Sequence, residues 1–406
     1  MNNLLLKNIK QLIGITENSN TVKKGKAQGE VKKLDDAYLV IKNNRIDSFG
    51  PMSECPNLNI DSHDCTGRLV LPMYVDSHTH LVFAESRAGE MKMRLQGKTY
   101  QEIAEAGGGI LNSAAKLRKM SEQQLYDAAM ERLQSVIKQG TGAIEIKSGY
   151  GLDLESELKM LRVIKVLKQV SPIPIKATFL GAHALPLEYK KNKALYMHLV
   201  CNEMLPRIAK DGLADYIDIF CETGYFDLED LKQVIEAGDK HGIKAKVHVN
   251  QFSSFGAVKQ ACEMGALTVD HLEVMENDDY LALEESDTIA VGLPLCSLFL
   301  DIPYTPARDL VNKEIPLALA SDFNPGSSPS GNLSLAFGLA CSQMKLTPEE
   351  AFNALTYNAA FALELQNEVG SIEIGKRANL IISKPANGLE DFPYWFGDSM
   401  ISNVIV

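Results

Sequence analysis

The sequence predicts an α/β protein: a (β/α)8 TIM-like barrel with a small β-rich domain built from both chain termini. Three observations predict it. Eight short apolar runs alternate with stretches of helical spacing through the middle of the chain, in about 250 residues, which fits a closed barrel of parallel strands. Five of the eight histidines fall at the ends of those runs, where such a barrel gathers its functional residues. The two chain ends read as strand and turn.

The N-terminal strands are Leu4–Ile15 and Tyr38–Phe49, with a polar turn at Asn43-Asn44 and an exposed charged loop over Asn18–Asp36. The barrel runs are Tyr74–Asp76, Ala143–Ile146, Ile175–Leu180, Tyr216–Phe220, Ala245–Val249, Leu267–Val269, Ile289–Val291 and Leu317–Ala320. Between them, Glu155–Val170 carries Leu158, Leu161, Ile164, Val166 and Leu167 close to a 3.6-residue period, and Leu228–His241 and Ser253–Met264 read similarly. Gly107–Gly109 follows Gln101–Ala106, which reads as helix, so the glycines are expected in a flexible loop. No glycine-rich dinucleotide fingerprint follows an early strand, which disfavours an open doubly wound sheet. Towards the C-terminus, Gly370–Ile382 reads as strand, turn, strand, and Ile401–Val406 as a last strand. The expected division is a composite β-sandwich-like domain from residues 1–70 and 365–406, and a barrel from 71–364.

The chain has 406 residues, enough for one large core and a smaller one. With 45% apolar and 23% charged residues, it has the composition of a soluble globular protein. A net charge of −11 and the lack of a dense Lys/Arg run argue against nucleic acid or a lipid surface as partner. An anionic substrate would need a locally placed cation. No apolar run approaches a membrane span, and Leu4–Leu6 is too short for a signal-peptide core. Seven dispersed cysteines without a C-x-x-C pair suit reduced thiols in a cytoplasmic protein.

The strand ends carry the chemistry. The first run ends in Asp76-Ser77-His78-Thr79-His80, the second in Lys147-Ser148-Gly149-Tyr150 and the third in Gly181-Ala182-His183. The fourth ends in Cys221-Glu222, and the fifth contains His248 and continues to Asn250-Gln251. The sixth ends in Asp270-His271 and the eighth in Ser321-Asp322-Phe323-Asn324. His63, His198 and His241 lie elsewhere. His78 and His80, two apart on a strand, face the same side and can reach one ion, although an isolated pair of this kind also suits a surface. His248 alone would read as a core histidine; beside the other two it supplies a third nitrogen. Asp322 could cap the turn that follows it. As a ligand it completes a set of three histidines and one carboxylate, plausible for zinc or iron.

Such an ion lowers the pKa of a bound water towards about 7 and polarises a carbonyl. Asp322, touching metal and water, would take the proton. His271 would either stabilise or protonate the tetrahedral intermediate or orient a ligand. In two-metal sites of this kind a carboxylated lysine near the place of Lys147 in the chain bridges the ions, which makes Lys147 the residue to weigh. Only one carboxylate ligand is evident, which favours one metal and a structural place for Lys147.

His78-Thr79-His80, His248, His271 and Ser321-Asp322 together resemble the amidohydrolase superfamily. Within it, Thr79–Arg87, Ile146–Gly151, Phe179–Ala184 and Ser321–Ser327 resemble the imidazolonepropionases of histidine degradation, and Gly370–Ile382 resembles the small domain of these hydrolases. The resemblance covers nearly the whole chain. It implies one divalent or trivalent metal ion per chain, zinc or iron, held by His78, His80, His248 and Asp322. The implied reaction is hydrolytic ring opening of 4-imidazolone-5-propanoate to N-formimidoyl-L-glutamate by hydroxide generated on the metal. Asp322, His271 and His248 would be catalytic. Arg87 would grip the propionate carboxylate through its planar fork, as the local cation an acidic protein needs. Tyr150 and His183 would contact the substrate, Tyr100 would reach it from the long loop after the first strand, and Asn324, Gly326 and Ser327 would line the ring side. The segment Phe83–Ile110 would close over the ligand. A homodimer is also implied, with a small molecule as substrate.

Two positions depart from the pattern. Gln251 stands where many members carry glutamate; it cannot be a carboxylate base but can donate to and accept from the ring. Asn379 stands where related hydrolases often have aspartate, away from the site. The alternatives are an amidohydrolase acting on another cyclic amide or amino-substituted ring, a catalytically silent metal- or ligand-binding homologue, and a structural or oligomerisation protein.

Overall fold

Leu4–Leu6, Ile9, Leu12 and Ile13 are the buried residues of the first strand, β1 (Asn3–Ile15), which pairs antiparallel with β2 (Lys32–Lys42) along its length. The computed structural model describes residues 3–98, 102 and 108–406. Asn43 and Asn44 both take positive φ and turn the chain from β2 into β3 (Arg45–Pro51), the two-residue geometry that matches strand twist. A bulge at Asn8 shifts the register between Leu6 and Ile9, so that both join one core with Leu39, Ile41, Val70 and Leu380. β4 (Ser62–Asp64) and β5 (Arg68–Pro72) run parallel to β1 on its other side.

Eight parallel strands follow in sequential order: β6 (Tyr74–Asp76), β7 (Thr141–Lys147), β8 (Ile175–Ala182), β9 (Tyr216–Cys221), β10 (Lys244–Val249), β11 (Thr268–His271), β12 (Ile289–Gly292) and β13 (Leu317–Leu319). Each of the eight expected runs is one of these strands, with only its ends displaced. The ring is nearly closed where the chain past β13 meets the chain past β6. There the Asp322 N–H donates to the His78 carbonyl at 3.0 Å and the His80 N–H to the Phe323 carbonyl at 2.9 Å. The Asp76 carboxylate completes the seam, accepting from the Ser321 N–H at 3.0 Å and the Ser321 hydroxyl at 2.6 Å.

The strands read as continuous apolar runs because helices cover them outside. The helix Leu154–Val170 is capped by Asp153, which accepts from the Ser156 N–H at 2.8 Å, and buries Leu158, Leu161, Ile164 and Leu167. Val166, expected on the same face, is 44% exposed, since at about 100° per residue it falls nearly opposite the centre of that stripe. Leu228–Lys240 begins on an Asp227/Asp230 capping box. The helix expected over Ser253–Met264 spans only Ala257–Glu263: Gly256 takes φ 95° at its start, Ser253 donates to Glu222, and Ser254 donates to Asp279 at 2.8 Å.

Two further expectations are corrected. Asn18–Asp36 is only partly an exposed loop: its turn at Gly25–Gly29 buries Gln28, which caps β13 through the Leu317 backbone. The first half of Gly370–Ile382 is not a strand. Gly370 and Gly375 take positive φ, and Lys376 donates to Ser19 and Ser371, so this stretch makes turns with isolated bridges until β14 (Leu380–Pro385). β14 pairs with β5 and with β15 (Ile401–Ile405), completing a sheet in the order β15-β14-β5-β1-β2-β3 from both chain ends, with β4 beside β1. The Asn379 amide donates to the Gly142 carbonyl at 2.7 Å and ties this sheet to the barrel.

Gly109 opens a helix, Gly109–Lys119, with Gly108 as its cap, rather than lying in a loop. The helix expected over Gln101–Ala106 lies, apart from Glu102, outside the described residues. All seven cysteines are free thiols. Among the described residues, no helix is long and apolar enough to cross a membrane.

Candidate active site

The barrel interior beneath the site is charged rather than aliphatic. The Lys147 ammonium lies 2.8 Å from Asp218 and 3.0 Å from Glu145, all three inaccessible to solvent. Burial opposes its charge, but Asp218, Glu145 and Asp270 outweigh it and hold the ammonium above the ordinary lysine range. Lys147 is therefore an ion-pair partner in the barrel floor.

His78 and His80 project from the chain just past β6, and His248 from β10. His78 Nδ1 meets the Asp270 carboxylate at 2.6 Å, which turns Nε2 inward. That Nε2 is buried with no hydrogen-bond partner, 3.5 Å from Asp322 Oδ1. His80 Nε2 lies 3.6 Å from the same oxygen and 3.4 Å from His248 Nε2. His248 Nδ1 is 2.9 Å from Asp218 Oδ2, within ion-pair distance but out of line for a hydrogen bond.

Burial first, and neighbouring cationic groups second, hold His78, His80 and His248 well below the ordinary histidine range. The three rings are thus neutral and carry lone pairs, the form in which imidazole binds a metal. Donor atoms about 3.3 Å apart are what a tetrahedral ion with bonds of about 2.0–2.1 Å requires. The observed 3.4–3.6 Å spacings, and a buried Nε2 with no partner, fit such an ion.

Burial pushes the Asp322 carboxyl up to about 6, with His271 pulling the other way. His271 is raised: burial opposes its charge, but Glu273, Asp322 and Asp270 outweigh burial. Its Nδ1 faces Glu273 at 3.2 Å. These groups open into a pocket of about 660 Å³. His80, His248, His271, Asp322, Arg87, Tyr150, His183, Gln251, Asn324, Gly326 and Ser327 all line it. His78 sits below, and Tyr100 lies outside the described residues.

A model of the amidohydrolase family matches residues 69–406. The chain is 50% identical to an imidazolonepropionase of Flavobacterium johnsoniae, across 99% of this chain and 98% of that one. The chain belongs to the imidazolonepropionase family. An imidazolonepropionase of Christiangramia forsetii is 51% identical over the same shares of both chains. The fold is shared with E. coli guanine deaminase, at TM-score 0.73 and 14% identity, over 100% of this chain and 98% of that one. Family membership and the clustered histidines and aspartate support a divalent metal in this centre.

In this member of the imidazolonepropionase family, several pocket residues are already engaged with the protein. Asn324 lines the pocket, yet its amide accepts from the Gly326 and Ser327 N–H groups at 2.7 Å and donates to the Asp322 carbonyl and the Ser327 hydroxyl. It shapes the turn. His183 Nδ1 is 3.0 Å from the Gly149 carbonyl, and its ring stacks on His80 with centroids 5.2 Å apart. Gln251 donates to Cys296 Sγ at 3.4 Å. The expected lid is described at 83–98, 102 and 108–110. Its start is pinned: Arg132 lies over the Phe83 ring and donates to the Phe83 carbonyl at 2.8 Å.

Sequence reading missed Asp218 and Glu273, and assigned no role to Asp270 although it directly precedes His271. Glu273 had a positional signal, two residues past His271. Cys296 and Phe220 carried none, because a thiol and a phenyl ring read as ordinary core; both are placed against this centre by the fold.

Proposed function

We propose that the chain hydrolyses the ring C–N bond of 4-imidazolone-5-propanoate to give N-formimidoyl-L-glutamate, as its family name implies. The observation that carries this reading is that one pocket joins the His/Asp centre to the Arg87 guanidinium. A ring amide bearing a carboxylate needs both ends.

His78, His80, His248 and Asp322 would hold one ion, zinc or iron. Bound there, the ion supplies a Lewis acid for the ring carbonyl and lowers the pKa of the attacking water. Arg87 binds the propionate carboxylate through its fork. Tyr150 and His183 contact the ring. Asp322 takes the proton of the attacking water and delivers it to the ring nitrogen as the C–N bond breaks. His271, whose Nδ1 faces Glu273, stabilises the developing oxyanion. Gln251 has no carboxylate to act as base, so it contributes hydrogen bonding only. Unpaired cysteines support a reducing, cytoplasmic setting. The homodimer rests on the family resemblance alone and is checked by sedimentation.

The substrate assignment is tested by competition. Equal concentrations of 4-imidazolone-5-propanoate and of cyclic amides or aminopyrimidines without a carboxylate are offered to the metallated protein. Preferred consumption of the carboxylated ring is expected; preference for an uncharged ring would contradict it.

A further inference from the structure

Arg87 does not stand alone. Glu90, in the first turn of the helix Ala88–Leu95, sits three residues on and faces back. The Arg87 Nε donates to both Glu90 oxygens at 2.9 Å, and Nη2 donates to Oε2 at 2.6 Å. The pair is nearly buried, with side-chain exposures of 9% and 11%. Glu90 Oε1 also accepts from the Gly109 N–H at 2.9 Å, so the same carboxylate joins the start of the helix Gly109–Lys119 to the loop carrying Arg87. On the other side, Arg87 Nη1 lies against Gly326, and a Cβ there would run into it. The guanidinium is thus set between a carboxylate and a glycine, at the wall of the substrate pocket.

We propose that Glu90 is a positioning residue that holds the Arg87 guanidinium in one orientation to receive a substrate carboxylate. This rests on the reading of Arg87 as the carboxylate-binding cation. An arginine left to rotate must be ordered as the ligand arrives, and that ordering opposes binding. Glu90 orders it in advance and neutralises a nearly buried cation while the pocket is empty.

Glu90 also has an opposing effect, because its negative charge repels the incoming carboxylate. The two effects have opposite signs in one measurement. If orientation dominates, Glu90→Gln raises KM; if repulsion dominates, it lowers KM. A glutamine retains one acceptor for Arg87 or Gly109 but loses the charged two-oxygen grip.

The experiment measures kcat and KM for 4-imidazolone-5-propanoate and for its propanamide analogue, in wild type, Glu90→Gln and Arg87→Met. With Glu90→Gln, KM for the carboxylate substrate is expected to rise about tenfold with kcat within about twofold. KM for the amide analogue should stay near wild type. Should Glu90→Gln fail to fold, Gly326→Ala displaces the guanidinium from its other side and is expected to show the same selective rise. An unchanged or lowered KM in Glu90→Gln beside a raised KM in Arg87→Met overturns the positioning role alone. A fall in kcat without a KM change, or an equal rise for both substrates, overturns it too. An unchanged KM in Arg87→Met overturns the reading of Arg87, and the proposal with it.

Discussion

His78 Nδ1 and the Asp270 carboxylate meet at 2.6 Å, both without solvent exposure, and this contact aims the opposite nitrogen of the ring at Asp322. A buried carboxylate that fixes a ligand's tautomer and raises its basicity affects metal affinity without touching the metal. Asp270→Asn is expected to weaken metal binding by about 10–100-fold. Competition against a chelator of known affinity measures this. Unchanged affinity would show that the contact does not orient His78.

Lys147 tests the number of ions. Replacing it with methionine leaves the buried Asp218 carboxylate without its ammonium partner and Glu145 with only Lys246, 3.6 Å away. The loss is expected to cost about 3–5 kcal/mol in denaturant unfolding. Metal content should stay at one ion per chain. A fall from two ions to one on substitution would instead mark Lys147 as a bridging ligand.

Asn379 separates stability from chemistry. Its amide donates to the Gly142 carbonyl across the junction of sheet and barrel. Asn379→Asp puts an acceptor against an acceptor and should cost about 1–3 kcal/mol. Urea unfolding should record that cost while kcat is unchanged. A lowered kcat at unaltered stability would place this junction in the catalytic machinery.

Metal removal should destabilise as well as inactivate. An ion that binds only the folded chain adds about 2.7 kcal/mol when present at a hundredfold its dissociation constant. Dialysis against a chelator is therefore expected to lower Tm and abolish turnover, and zinc or iron should restore both. Full activity after verified removal of metal would contradict the reading of the His/Asp centre.

The barrel was legible because its signal is redundant. The strands, from Tyr74–Asp76 to Leu317–Leu319, are mostly apolar and buried on both faces, and four of them carry a histidine at or just past the mouth: His78 and His80, His183, His248 and His271. That His78, His80, His248 and Asp322 come together at one end of the barrel was legible for the same reason. Local detail was less so. Val166 was misassigned because an apolar residue next in sequence to a stripe residue need not lie on that stripe. The first half of Gly370–Ile382 alternates like a strand, yet Lys376 spends its ammonium on Ser19 and Ser371 in a turn. The charged floor was invisible in sequence: Glu145, Asp218 and Lys246 sit inside apolar strands, where single charged residues look like solvent-facing positions. Only the closure of the ring turns them towards one another. Glu90 was hidden because its meaning depends on where Arg87 points, which loop geometry decides.

The most direct test of the account is turnover of 4-imidazolone-5-propanoate, generated in place by urocanase, with metallated wild type and His248→Ala in parallel. The account predicts loss of substrate and appearance of N-formimidoyl-L-glutamate with the wild type, and neither with His248→Ala. Absence of turnover by fully metallated wild type, or equal turnover by His248→Ala, would contradict it.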